Sequence, residues 1–179
     1  MESHDFTLVI DGIDSLTTEI EDGLYEAGCD DGLLSMSDRV FRIDFAREAP
    51  SLREAILSAI RDVESAGVGA RVTRVEPDEI VNASEIARRI GISREAVRLY
   101  ALGERGPGGF PSPIAGDRLN QRLWRWTDIC DWVVRHKLPY EVDAGGASEI
   151  AVINAMLDLR RRLLSKSRID QVWKELQRA

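Results

Sequence analysis

The stretch SEIARRIGISREAVRLYALG, residues 84–103, decides how the rest of the chain is read. It holds two short amphipathic runs separated by Gly91, Ile92 and Ser93. Each run is too short to be a stable helix alone in water. Gly91 tolerates positive φ without a Cβ penalty, so the chain can turn sharply there. Ser93 can cap a restarted helix through its hydroxyl. Ala87 offers a small side chain where a second helix would cross the first. Ile86, Ile90, Ile92, Val97 and Tyr100 fall at offsets that pin such a pair to a body. The whole spacing predicts a helix-turn-helix unit, whose second helix projects from the body in a geometry suited to a DNA major groove.

With the apolar offsets assigned, Arg94, Glu95, Arg98 and Leu99 are expected to point outward behind the Ser93 cap. Arginine pairs with guanine edges or phosphates, and Glu95 can accept from a cytosine amino group or orient an arginine. The other reading of the same residues is a helical hairpin in an ordinary core, with these charges as a solvated face.

The next segment, GERGPGGFPSP, is rich in glycine and proline, and RLNQRLWRW (118–126) predicts a strand-like hairpin before a helix in TDICDWVVRH. The segment IARRIGISREAVRLYALGERG resembles the winged helix-turn-helix of the MerR superfamily. The continuation FPSP…RLWRWTDICDWV is similar to the AlpA and excisionase branch. The resemblance covers residues 81–135, about a third of the chain. It departs from MerR proper in the long GERGPGG loop and in lacking a long coiled-coil helix directly afterwards, which bears against the promoter-untwisting mechanism of MerR activators. The resemblance implies a wing that touches DNA backbone or the minor groove. Phe110, Leu123, Trp124 and Trp126 would anchor it, and Arg118, Asn120, Gln121 and Arg122 would cluster at its tip. Side chains of that kind position a protein on phosphates without reading sequence.

The net charge of −7 over 179 residues looks unfavourable for nucleic acid until it is divided. Residues 1–80 hold 7 Lys and Arg against 19 Asp and Glu, whereas residues 81–140 hold 10 against 6. Such asymmetry implies different partners for different parts. Hydrophobic residues make up 44%, enough for a packed core, and no apolar run approaches the ~18 residues of a membrane span. The acidic start MESHDFTLV lacks a secretory pattern. Cys29 and Cys130 read as free thiols, and a cytoplasmic setting is expected.

The acidic region alternates strand and helix patterns. DFTLVID places Phe6, Leu8 and Ile10 on one face, and Leu16, Ile20 and Leu24 follow at helical spacing. GLLSMSDRVFRIDFARE predicts two strands around a Ser-Asp turn with Phe41, Ile43 and Phe45 inward. APSLREAILSAIRDVESAG predicts a helix and ARVTRVEP a last strand. The order βαββαβ predicts a ferredoxin-like domain, within an α+β chain. Its strands lack the exposed aromatic pairs of RNA-binding sheets. Glu19, Glu21, Asp22, Glu26, Asp30 and Asp31 form either a surface for a basic protein partner or a solvated face.

PYEVDAGGAS (139–148) reads as a linker, and the tail as helices with two apolar stripes: Ile150, Ile153, Leu157 and Leu164, then Ile169, Val172, Trp173 and Leu176. The stripes need a partner surface in the same chain or a symmetric copy, and a homodimer through these C-terminal helices is expected. Three domains result: 1–78 acidic and ferredoxin-like, 79–138 winged helix-turn-helix, and 139–179 linker and C-terminal helices.

His4 and His136 lie in different regions, neither beside a nucleophile, and no metal-ligand spacing or phosphate-binding loop is present. No catalysis, cofactor or metal is expected. The leading expectation is a sequence-specific protein of double-stranded DNA, most simply a transcriptional regulator. The alternatives are an antitoxin or excisionase-like architectural factor, its acidic domain gripping a protein partner, and a protein-interaction scaffold without DNA.

Overall fold

A computed structural model describes residues 1–77, 79–116, 118, 121–162, 173–175 and 177. The chain is α+β and divides into two compact units, Met1–Val75 with Val152–Ala179, and Glu76–Ala151.

The first unit is built on a four-stranded sheet. β1 (Glu2–Asp11) is followed by α1 (Thr18–Glu26), β2 (Gly32–Ser37), β3 (Val40–Ala49), α2 (Leu52–Ser65) and β4 (Arg71–Glu76). The order across the sheet is β2-β3-β1-β4. β3 pairs antiparallel with both neighbours, Phe45 opposite Phe6 and Ile43 opposite both Leu8 and Leu34. The alternation of apolar residues sets which face is buried: Phe6, Leu8, Ile10, Phe41, Ile43 and Phe45 are all inside. Asp38 and Arg39 both take left-handed φ, the conformation of a tight hairpin turn between β2 and β3. Ser51 caps α2 by accepting from Glu54 N–H, and Ala55, Ile56, Ala59, Ile60 and Val63 form its buried stripe. One expectation fails locally. Leu16 lies ahead of α1 and is exposed, because Thr17 caps the helix and starts it later; Ile13 is buried instead.

Arg47 continues the inward parity of Phe41, Ile43 and Phe45 and is buried despite its charge. Its guanidinium is fully engaged: it donates to both Asp31 oxygens at 2.8 Å, to Asp62 at 2.6 Å, to Ser58 at 3.2 Å and to the Gly28 carbonyl at 2.6 Å. A buried charge is tolerable when paired and hydrogen-bonded in this way.

The second unit contains β5 (Ile80–Asn82), α3 (Ala83–Arg89), α4 (Arg94–Leu102), β6 (Leu123–Arg125) and α5 (Trp126–Arg135), and α6 (Ala144–Arg161) begins in it. β5 pairs antiparallel with β6, Val81 opposite Trp124. Val81, Ile86, Ala87, Ile90, Val97, Trp124, Trp126, Ile129 and Cys130 form its core. The expected hairpin within 118–126 is corrected here. Its strand pairs with β5, and the returning arm comes from upstream, where Ala115 bridges Leu123.

The expected linker is also corrected. Tyr140 and Val142 pack on the core, and α6 starts at Ala144, after Asp143 accepts from Gly146 N–H. Glycines 145 and 146 lower helix propensity but do not forbid the helix where packing supports it. Ile150, Ile153 and Leu157, the described residues of the first stripe, are buried within the chain itself. Leu164, Ile169, Val172 and Leu176 lie outside the described residues; Trp173 is exposed. No helix among the described residues is long and apolar enough to cross a membrane.

Candidate nucleic-acid interface

The turn between α3 and α4 is closed by backbone bonds. Asn82 caps α3 by accepting from Ser84 and Glu85 N–H, and Glu85 sits at the third position of that cap. At the other end Gly91 takes φ +70°, and Ile92 N–H donates back to the Ala87 carbonyl at 2.9 Å. This is the Schellman ending that left-handed glycines make. Ser93 then caps α4 by accepting from Ala96 N–H at 3.1 Å. Ile86 and Val97 are fully buried, and Ala87, Ile90, Ala96 and Tyr100 nearly so. The two helices are therefore fixed to one core, with only Arg94 and Glu95 of the first turn of α4 exposed.

Arg94 and Glu95 are exposed on that turn. Together with Arg98 they line a concavity of about 540 Å³, whose other walls are Ala83, Val97, Ala101 and Trp124. Ser93 acts as the cap, and Leu99 does not line the concavity. Arg98 and Leu99 are each half-buried rather than fully outward. Arg98 is held in place: its guanidinium donates to Glu95 at 2.7–2.9 Å and lies 3.9 Å from Glu104. The same hydrogen bonds keep the Glu95 carboxyl below its ordinary titration range. On α3, Glu85 accepts from Arg88 and Arg89, and these bonds bring its pKa down to about 2. Arg94 has no partner among the described residues.

The loop after α4 is held by indoles. Trp132 Nε1 donates to the Gly108 carbonyl at 2.9 Å and Trp124 Nε1 to the Pro111 carbonyl at 3.0 Å. Phe110 meets both tryptophans edge-on, and Tyr100 lies edge-on to Trp132 at 5.1 Å. The Tyr100 and Tyr140 hydroxyls share a hydrogen bond of 2.7 Å. Gly106 approaches the Tyr100 ring so closely that a Cβ would sit 2.6 Å from Cε1. Beyond the loop, Gln121 N–H donates to the Arg118 carbonyl at 2.9 Å in a turn. Arg118 and Gln121 are exposed and Arg122 is half-buried; Asn120 lies outside the described residues. None of the three described residues, Arg118, Gln121 and Arg122, lines the concavity that holds Arg94 and Arg98. Arg125 is paired with Glu79 at 2.6 Å, and Arg105 covers the Tyr100 ring.

Two contributors went unanticipated. Glu104 approaches Arg98 through the chain reversal after α4, which spacing along one helix does not reveal. Trp124 reaches the concavity because β6 pairs with β5. The Asn82-to-Glu85 interval was a legible signal for where α3 begins. Among the described residues no cluster of three or more His, Cys, Asp or Glu side chains can hold a metal. Comparison with protein-family models, curated proteins and solved structures finds no match to the chain.

Proposed function

We propose that the chain is a cytoplasmic, sequence-specific binder of double-stranded DNA, most simply a transcriptional regulator, acting through a winged helix-turn-helix of the MerR and AlpA type in residues 81–135. One observation carries the reading: behind the left-handed turn at Gly91 and the Ser93 cap, the first two residues of α4, Arg94 and Glu95, are exposed and line a concavity. Recognition helices contact base edges with their N-terminal residues. The bridge of Ala115 to Leu123 supports a wing, with Arg118, Gln121 and Arg122 beside it. In the first unit, the order β2-β3-β1-β4 with antiparallel pairing supports the ferredoxin-like reading. A homodimer through the C-terminal helices remains part of the proposal, with Ile150, Ile153 and Leu157 already covered within the chain.

The capture of Arg98 by Glu95 and Glu104 favours a second reading, a scaffold in which this helix pair binds protein. One experiment separates them. Duplexes selected from a random pool are titrated against the full chain at increasing salt. The DNA reading expects a selected consensus and a log K that falls with log salt by about 0.9 per phosphate contacted. No consensus, with binding indifferent to salt, refutes it.

A further inference from the structure

The four-stranded sheet has two edges, and they are finished differently. At β4, Asn154 of α6 holds both polar groups of Val75, and Arg160 donates to the Val72 carbonyl at 2.7 Å. At the opposite edge no strand lies beyond β2 among the described residues. An edge strand presents a row of backbone N–H and C=O groups, and natural edges are usually protected by lysine, proline or a bulge. β2 reads Gly-Leu-Leu-Ser-Met-Ser and contains neither charge nor proline. Its Leu33 is 70% exposed and its Met36 51%. Beside it, between α1 and β2, lies a second concavity of about 310 Å³. Leu24 and Ile43 are its buried floor, Tyr25 and Leu34 its walls, and Glu21 and Asp30 its exposed carboxylates.

We propose that the β2 edge docks an extended basic segment of a partner protein, added as a fifth strand that sends a lysine or arginine into this concavity. Strand addition supplies main-chain bonds, while pockets for alternate side chains supply selectivity. The two-residue period of a strand places every second side chain on the α1 side. A long cationic side chain lays its apolar stem along Tyr25 and Leu34 and brings its head to Glu21 and Asp30. Charge selects this occupant over a second copy of the chain. Residues 1–80 carry 19 acidic against 7 basic side chains, so two such edges repel, and a basic segment is attracted. The site belongs to the first unit and is independent of the DNA reading.

The test uses the full chain, without DNA, to select from a displayed library of random peptides of about eight residues, the length of a strand. Selected peptides are expected to carry Lys or Arg at alternate positions. Leu33→Lys, and Glu21→Lys with Asp30→Lys, are each expected to weaken a selected peptide about tenfold or more, equivalent to 1.4 kcal/mol. Alternate backbone N-methylation of the peptide is expected to do the same. Far-UV circular dichroism confirms that the variants fold. Failure to enrich basic alternating peptides, or equal binding of the N-methylated form, overturns the proposal. So does a dimer in sedimentation that Leu33→Lys dissociates, since the edge is then closed by a second copy.

Discussion

Asn154 reaches both polar groups of Val75: its Oδ1 accepts from the Val75 N–H at 2.7 Å and its Nδ2 donates to the Val75 carbonyl at 2.9 Å. One side-chain amide thus does for the edge of β4 what a neighbouring strand would do. Val75 itself is fully buried, so neither group has water as a ready substitute. Asn154→Ala is expected to destabilise by about 2–3 kcal/mol, read as a lower urea midpoint at unchanged m. Asn154→Asp keeps the acceptor but turns a donor into an oxygen facing the carbonyl, and is expected to be no better tolerated. A midpoint unchanged in both variants would show that this amide contributes nothing to the edge.

Arg47 makes a sharper case. Removing it leaves Asp31 and Asp62 without the cation that binds them, and the Gly28 carbonyl without its donor. Arg47→Ala is expected to cost about 3 kcal/mol or more. Arg47→Lys restores the charge but not the planar fork, and should recover only part of the loss in equilibrium unfolding. Full recovery by lysine would mean that charge alone matters there.

Glu85 gives a pH dependence. Its folded pKa, about 2, lies below the ordinary value of 4.5 because Arg88 and Arg89 hydrogen-bond the carboxylate. A depressed carboxyl pKa stabilises the folded state above the unfolded pKa, and the contribution fades as pH falls from about 4.5 through about 2. Glu85→Gln should therefore lower Tm at pH 7, and the difference from the parent should shrink steadily below pH 4.5. A difference that stays constant from pH 7 to pH 3 would contradict the assignment.

Two glycines separate conformational cost from collision. Gly91 has φ +70° and nothing within 4 Å of a would-be Cβ, so Gly91→Ala is expected to cost only the left-handed penalty, about 1–2 kcal/mol. Gly106 has φ +83°, and a Cβ added there would also meet the Tyr100 ring at 2.6 Å. Gly106→Ala should cost more and should disturb the Tyr100 near-ultraviolet signal. The reverse order would displace the structural account of the loop.

On the DNA reading, Arg94→Ala is expected to weaken the selected duplex by about 1–3 kcal/mol. Arg98→Ala should relax preference at one base position if Arg98 exchanges Glu95 for a base edge. Arg122→Ala should weaken all duplexes alike and flatten the salt slope by about one unit. Three variants indistinguishable from the parent in anisotropy titrations would leave the proposed face without support.

The parts of this fold that could be read from sequence are those set by local chemistry. Phe41, Ile43 and Phe45 alternate because one sheet face is buried, and Gly91 followed by Ser93 announces a stop and a restart. What escaped was set by partners distant along the chain. β5 is three residues long, too short for any period, and exists because β6 pairs with it. Gly145 and Gly146 look like a linker, and only packing makes them helix. Arg47 had the parity of a buried residue and the charge of an exposed one; only Asp31 and Asp62 settle that conflict. At the candidate site the exposed start of α4 was legible, whereas the clamp on Arg98 depends in part on Glu104, which arrives after the helix has ended.

The placement of the indoles equips the chain with its own optical gauge. Of its four tryptophans, Trp124, Trp126 and Trp132 lie in the core of residues 76–151, whereas residues 1–75 contain none. Trp173 is open to solvent and yields first to a collisional quencher. The blue-edge emission that survives quenching therefore follows the melting of the second unit alone, and comparing it with far-ultraviolet ellipticity shows whether the two units unfold together or in turn.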